Sequence, residues 1–501
     1  MRRAGFLALV AAVAVGLITT AQGSGSGEAA SSTPTAKRFS ALLRDSVKTR
    51  GVFKHLQALQ DIADANGGNR ASGLPGYTKS AAYVVRKLKR YGWRIELQRF
   101  AVDVFYQDEV STLERTSPAP RAFAEETDFV TMEFSGSGEV TAEVVAVDLT
   151  IPPAPAPSST SGCEASDFAG LDVAGTVARI QRGGCPFEVK VTNAITAGAA
   201  AVVIFNEGQE GRTNALRATS EPVDGAVPAL SASFAAGAEL AGGVLSGPTG
   251  TTVRIRTVTH TKLVQGENVI GELPGGDRNH VVMAGAHLDS VADGPGINDN
   301  GSGSAALLEI ARALSDSGIK PTNKVRFAWW AAEETGLHGS TGYVVKLKER
   351  PRAALARIAL YLNFDMVGSP NFGRMIYDGD GSAFGSAGPK GSDRIERTFE
   401  RYFEGQGLAT GATPFDGRSD YQEFIRAGIP AGGLYTGAEE LKTEEQAAMY
   451  GGKAGVAFDP CYHLACDDID NVSRRAIRQM VPAIADSVAR YAINLGEIGR
   501  K

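Results

Sequence analysis

From Asn268 onward, short apolar runs alternate with segments of helical periodicity. That alternation confines this part of the chain to a layered α/β arrangement. "HVVMAGAH", "KVRFAWWAA" and "ARIALYLNFD" read as buried strands. "GSAALLEIARALSDSG", "GSTGYVVKLKER" and "SDRIERTFERYFEGQG" carry apolar residues at helical spacing. "IPAGGLYTG" reads as a strand and turn, and a last helix is expected from Arg474 to Leu495. In such folds ligands bind beyond the carboxyl ends of strands. His287, Glu333, Glu334 and Asp365 stand at such ends, so one site is expected to gather them.

The residue types define the chemistry. His287, Asp299, Glu334, Asp365 and His463 supply two imidazoles and three carboxylates. That set suits two zinc ions sharing one bridging carboxylate. Asp299, in a Gly/Asn-rich turn before a helix, is the candidate bridge. Two metals about 3.5–4 Å apart acidify a shared water and polarise a carbonyl. Glu333, beside a ligand but free of metal, is the candidate general base. Asp289, two residues after His287, would fix its tautomer. Tyr462 could donate to an oxyanion. The pattern points to a hydrolase.

Other readings fit less well. A single His after a strand is more often a structural hydrogen-bonder, and paired glutamates usually form a solvated helix face. Here the pair follows "RFAWWAA" and so emerges from the core. None of the six His forms H-E-x-x-H. No G-x-S-x-G elbow exists, and Ser302 and Ser304 of "GSGSA" belong in a first helical turn. The Gly-rich stretches lack the Gly-Lys-Ser/Thr ending of a phosphate loop. A net charge of -5 without a Lys/Arg cluster gives no sign of nucleic-acid binding.

Upstream, Arg2 and Arg3 precede an apolar run from Ala4 to Ile18, and small residues follow. This resembles a secretory signal cleaved after Ala21 or Gly23. The run is short for a membrane span, which needs roughly 20 residues. A soluble, secreted protein without a membrane anchor is expected. Residues 24–40 are rich in small residues and are expected to be flexible. Helices are expected over Val52–Ala65 and Tyr77–Tyr91, the second stopped by Gly92, and "WRIELQRFAVDVF" reads as a strand. Residues 118–260 are rich in Ala, Gly, Val, Ser and Pro and hold none of the candidate ligands. They read as a small β-rich domain inserted into another domain. Four Cys in a secreted chain favour two disulfides. Three pairings are possible. One joins Cys461 to Cys466 around His463 and Cys163 to Cys185 in the insert. Zinc binding by these thiols is the alternative.

Several long strings carry a resemblance: "AGAHLDSV…GPGINDNGSGSAALLE", "RFAWWAAEETGLHGS", "YLNFDMVGSP", "GRSDYQEF", "IPAGGLYTGAE", "FDPCYHLACD" and "NGGNRASGLPGY". They resemble the secreted bacterial double-zinc aminopeptidases of clan MH, over most of residues 50–100 and 265–490. The resemblance implies that His287 and Asp365 hold one zinc and that Glu334 and His463 hold the other. Asp299 would bridge them, before a cis peptide to Asn300. Glu333 would be the base, Asp289 the orienter and Tyr462 the oxyanion donor. Arg418 would bind substrate near its free N-terminus. Tyr421 departs from the pattern, since relatives often carry His there, and is expected to reshape the pocket. The terminal calcium ligands of some relatives have no match here. "VARIQRGGCPFEVKVTNAITAGAAAVVIFN" resembles a protease-associated domain, which is non-catalytic and can restrict access or contact other proteins.

The expected fold is therefore a three-layer α/β peptidase domain with a mixed, mostly parallel sheet between helices. Residues 41–117 and 261–501 would form it, with a protease-associated domain inserted over 118–260. The implied activity is removal of N-terminal residues, with large apolar ones preferred. A related carboxypeptidase or dipeptidase is one alternative. A non-catalytic receptor module is another, but such modules usually lose ligands, and here all are kept.

Overall fold

The computed structural model describes residues 27–209, 212–216, 222–350, 353–496 and 498. The expected signal segment, residues 1–23, lies outside them. A mixed sheet organises the body. Its central strands, Ile358–Phe364, Asp277–His287 and Asn323–Trp330, lie side by side in parallel. Ala431–Tyr435 adds in parallel beyond Ile358–Phe364. Met375–Tyr377 and then Gly411–Thr413 complete that edge. On the other side Gly247–Glu272 pairs antiparallel with Asn323–Trp330.

Helices cover both faces. On one lie Thr49–Asp64, Pro75–Arg90, Gly301–Asp316 and Arg474–Ile493, burying Leu56, Leu88, Leu308 and Ile484 against Val282, Ala284 and Trp329. On the other, His338–Glu349 packs Tyr343 and Val344 against Met283, Trp330 and Tyr361. Pro75 opens its helix, where its missing N–H costs nothing. Gly92 follows that helix with φ +78°, a conformation closed to most side chains.

One expectation fails at the N-terminal end. Residues 24–40 were expected to be flexible from composition, yet a helix runs over Gly27–Ser46. Phe39 and Leu43 are buried and pack with the C-terminal helix Arg474–Ile493. Burial of such side chains is worth about 1.5–3 kcal/mol each and outweighs weak local propensity.

The insert joins the body through a ribbon rather than a linker. Arg94–Ser117 and Gly247–Glu272 run antiparallel from the pair Arg94/Glu272 to the pair Ser117/Thr252. The first strand runs well beyond "WRIELQRFAVDVF", and the second is not among the strands read from the sequence. Beyond the ribbon, Gly138–Val147, Val177–Gln181, Ala201–Phe205 and Ala229–Ala232 form parallel pairs. Every residue of "VARIQ" and "AVVIF" is buried, as expected when both faces of a parallel sheet are covered. Cys163–Cys185 and Cys461–Cys466 both form disulfides, which removes the thiols as zinc ligands.

Candidate metal centre

Three adjacent parallel strands deliver most of the site. His287 ends Asp277–His287 and lies in register with Trp330 on the neighbouring strand. Glu333 and Glu334 follow Trp330, and Asp365 follows Phe364. Asp299 precedes the helix Gly301–Asp316, whose cap Asn300 accepts from the Gly303 N–H. The Asp299–Asn300 peptide bond is cis. His463 stands on the short loop closed by Cys461 and Cys466.

The five expected ligands form two triads that share Asp299: His287, Asp299 and Asp365, and Asp299, Glu334 and His463. Asp299 Oδ1 lies 3.1 Å from His287 Nε2, while its Oδ2 lies 3.3 Å from His463 Nε2. One carboxylate thus faces both halves. His287 Nε2 is also 3.3 Å from Asp365 Oδ1, and His463 Nε2 is 3.0 Å from Glu334 Oε2. Glu333 Oε2 sits farther back, 3.9 Å from His287.

Electrostatics test whether cations fit here. Burial alone would lower the pKa of His287, but Asp365 and Glu333 drive it well above its usual value. Burial likewise opposes His463, yet Glu334 and Asp299 carry it up to about 10. Burial pushes Glu333 far up, with Asp365 adding to the push against the pull of His287. Asp365 Oδ1 and Glu334 Oε1 are buried and make no hydrogen bond. Buried carboxylate oxygens without donors are costly. Imidazole and carboxylate donors in this crowding fit zinc.

Strain concentrates at the same place. Ala332, Met366 and His463 are non-glycine residues with φ of +55°, +48° and +59°. Each costs of order 1–3 kcal/mol, so the surroundings must hold them. Ser72 accepts the Ala332 N–H at 2.7 Å, and Asn300 accepts the Met366 N–H at 3.3 Å.

The remaining expected residues surround the triads. An Asp289 carboxylate oxygen is 3.6 Å from His287 Nδ1, but the Asp289 main-chain carbonyl is closer, at 3.2 Å. The same carboxylate accepts the Glu333 N–H at 3.3 Å, so Asp289 also positions that backbone. Tyr462 stacks on His463, with ring centroids 3.8 Å apart. Arg418 donates to the Tyr462 hydroxyl at 3.2 Å and to Glu439 at 2.9 Å. Tyr421 lines the pocket, its hydroxyl donating to Asp416 at 2.8 Å. The pocket encloses about 600 Å³ including its open mouth, and Met366, Tyr377 and Tyr435 also line it.

The description "Peptidase family M28" matches residues 268–488, and "PA domain" matches residues 140–240. An aminopeptidase of Pseudomonas aeruginosa is 47% identical over 441 residues, covering 88% of this chain and 80% of its own. The chain belongs to peptidase family M28. Leucine aminopeptidase 2 of Trichophyton tonsurans is 40% identical over 455 residues, covering 90% of this chain and 86% of its own. Among solved structures, the aminopeptidase of Aneurinibacillus sp. strain AM-1 superimposes with a TM-score of 0.69 at 26% identity, over 90% of this chain and 95% of that one.

Several residues of this M28 site escaped sequence reasoning. Arg70 is fully buried and donates to the carbonyls of Pro295 (2.8 Å), Gly296 (2.5 Å) and Leu288, clamping the loop before Asp299. Asp467 accepts the N–H groups of Asn298 and Asp299 at 2.9 and 3.0 Å. Ser419 donates to Asp365 Oδ2 at 2.5 Å and accepts from Asn363 at 2.8 Å. Asp420 is buried, and burial lifts it to about 8 against the pull of His287 and a hydrogen bond with Ser340. "NGGNRASG" and "GRSD" stand out in the sequence, but only the fold shows what these side chains touch.

Proposed function

We propose that this chain is a secreted aminopeptidase that uses two zinc ions to remove large apolar residues from the N-termini of peptides. The observation that carries this reading is the pair of triads sharing Asp299, with Glu333 beside them but in neither. His287 and Asp365 would hold one ion, and Glu334 and His463 the other. When bound, zinc supplies Lewis acidity that polarises the scissile carbonyl and acidifies water.

The protein's own groups do the rest. Glu333 takes the proton of the attacking water on its carboxylate and hands it to the leaving amine nitrogen. Arg418 donates into the Tyr462 hydroxyl oxygen, which leaves the phenolic hydrogen free for the developing oxyanion. Arg418 and the acidic residues beside it, Asp416 and Glu440, border the space for the substrate's N-terminal end. Tyr377, Tyr421, Tyr435 and Met366 offer an apolar wall to a large side chain, and Tyr377 is backed by Phe415, stacked at 5.1 Å. The name of the Trichophyton relative, a leucine aminopeptidase, supports the same preference. Secretion rests on the N-terminal pattern and on two disulfides. Among the described residues no helix is long and apolar enough to cross a membrane.

The test compares leucyl-p-nitroanilide with its N-acetyl form, before and after chelation and zinc re-addition. Only the free amine should be cleaved, with activity lost to chelator and restored by zinc. Cleavage of the acetylated form, or full activity without metal, would overturn the proposal.

A further inference from the structure

A second cluster of carboxylates lies outside the zinc triads. Directly after the strand Met375–Tyr377, the sequence "DGDGS" makes a tight turn. Gly381 adopts φ +75° there, and a Cβ on it would come within 2.7 Å of the Ala387 nitrogen. The turn brings Asp378 and Asp380 against Glu396 of the helix Ser392–Glu404. One carboxylate oxygen of each lies within 4.8 Å of the other two. Two oxygens on opposite sides of a calcium ion, each about 2.4 Å away, stand at that separation.

The buried oxygen of Asp378 is the independent observation. Asp378 is wholly buried. Its Oδ2 accepts the N–H groups of Ala383 and Phe384 at 3.1 and 2.8 Å. Its Oδ1 is buried as well and makes no hydrogen bond. Such an oxygen is costly when nothing meets it. Glu396 uses Oε2 to accept from Gly379 and Asp380 at 3.0 and 3.2 Å. Burial still pushes its carboxyl up to about 7, with Asp380 adding like charge. Three acids pressed together, with one buried Asp378 oxygen that no donor meets and Arg397 acting on the exposed Asp380, form an all-carboxylate cluster.

We propose that Asp378, Asp380 and Glu396 bind one calcium ion, at a site sharing no residue with the zinc centre. The donors are all carboxylate oxygens with no imidazole among them, a set that suits a hard cation, unlike the mixed imidazole and carboxylate triads of the zinc centre. The ion would fix the loop that leaves Tyr377, a residue of the substrate pocket.

The test uses the full-length, zinc-loaded protein, so that zinc ligands are already engaged. Calcium chloride is titrated calorimetrically into wild type and into Asp380→Asn, whose exposed side chain makes a folding failure easy to avoid. Wild type should take up one equivalent and melt at a higher temperature in saturating calcium. Asp380→Asn should bind at least tenfold more weakly and lose that shift. Absence of calcium uptake by wild type, or equal affinity in the variant, would overturn the proposal. Neither outcome bears on the aminopeptidase reading, which does not use this loop's carboxylates.

Discussion

The zinc-site loops and the inserted domain both bury charge, but in opposite ways. Around Asp299 the chain gathers Asp289, Glu333, Glu334, Asp365, Asp420 and Asp467, with Arg70 and two imidazoles to balance them. In the insert, Arg179 is fully buried with none of its nitrogens hydrogen-bonded, and it lies 4.1 Å from the Phe205 ring centroid. The first arrangement has an excess of acids converging on common points. The second sets one cation, Arg179, against an aromatic ring with none of its nitrogens hydrogen-bonded. Converging acids mark a place where cations belong, whereas a solitary buried charge is a burden that packing has absorbed.

The comparison breaks most visibly at Asp299. Asp299→Ala removes the only carboxylate common to both triads, so zinc and activity should be lost together. A variant that retains two zincs by elemental analysis would refute the bridge. Glu333→Ala should instead keep its zinc and lose about 10²–10⁴-fold in kcat. A variant near the wild-type rate would remove Glu333 from the role of base. Ser419→Ala sharpens the contrast at smaller scale. It deletes the donor to Asp365 Oδ2 and should weaken zinc binding by about 10–100-fold, measured by chelator competition. The smallest effect belongs to the insert. Arg179→Met should leave activity unchanged and stability equal or higher, read from denaturant midpoints. A clear loss of stability there would mean that Arg179 is compensated after all.

Asp299 and His463 lie on loops, whereas His287, Glu334 and Asp365 were legible because apolar runs end just before them, and strand ends converge in a layered α/β fold. Their supports were not. Arg70 acts 218 residues away from Leu288, and Asp467 holds a backbone 168 residues upstream. Neither contact leaves a periodic trace in the sequence. The helix over Gly27–Ser46 was hidden for a related reason, since its order comes from the distant helix Arg474–Ile493 and not from its own composition. Of the ribbon strands, "WRIELQRFAVDVF" captures only part of Arg94–Ser117, and Gly247–Glu272 does not read as a strand, because their polar, half-exposed middle sections resemble loop.

That ribbon has an architectural consequence. The chain departs along Arg94–Ser117 and returns along Gly247–Glu272, with Phe100 opposite Gly266 and Val104 opposite Lys262. Exit and re-entry are therefore neighbours at every rung. A tight hairpin turn placed across any rung would close the chain and leave the order of the body's strands untouched. The insert is in this sense a detachable module, one that a lineage can gain, exchange or discard without redrawing the sheet that carries the catalytic centre.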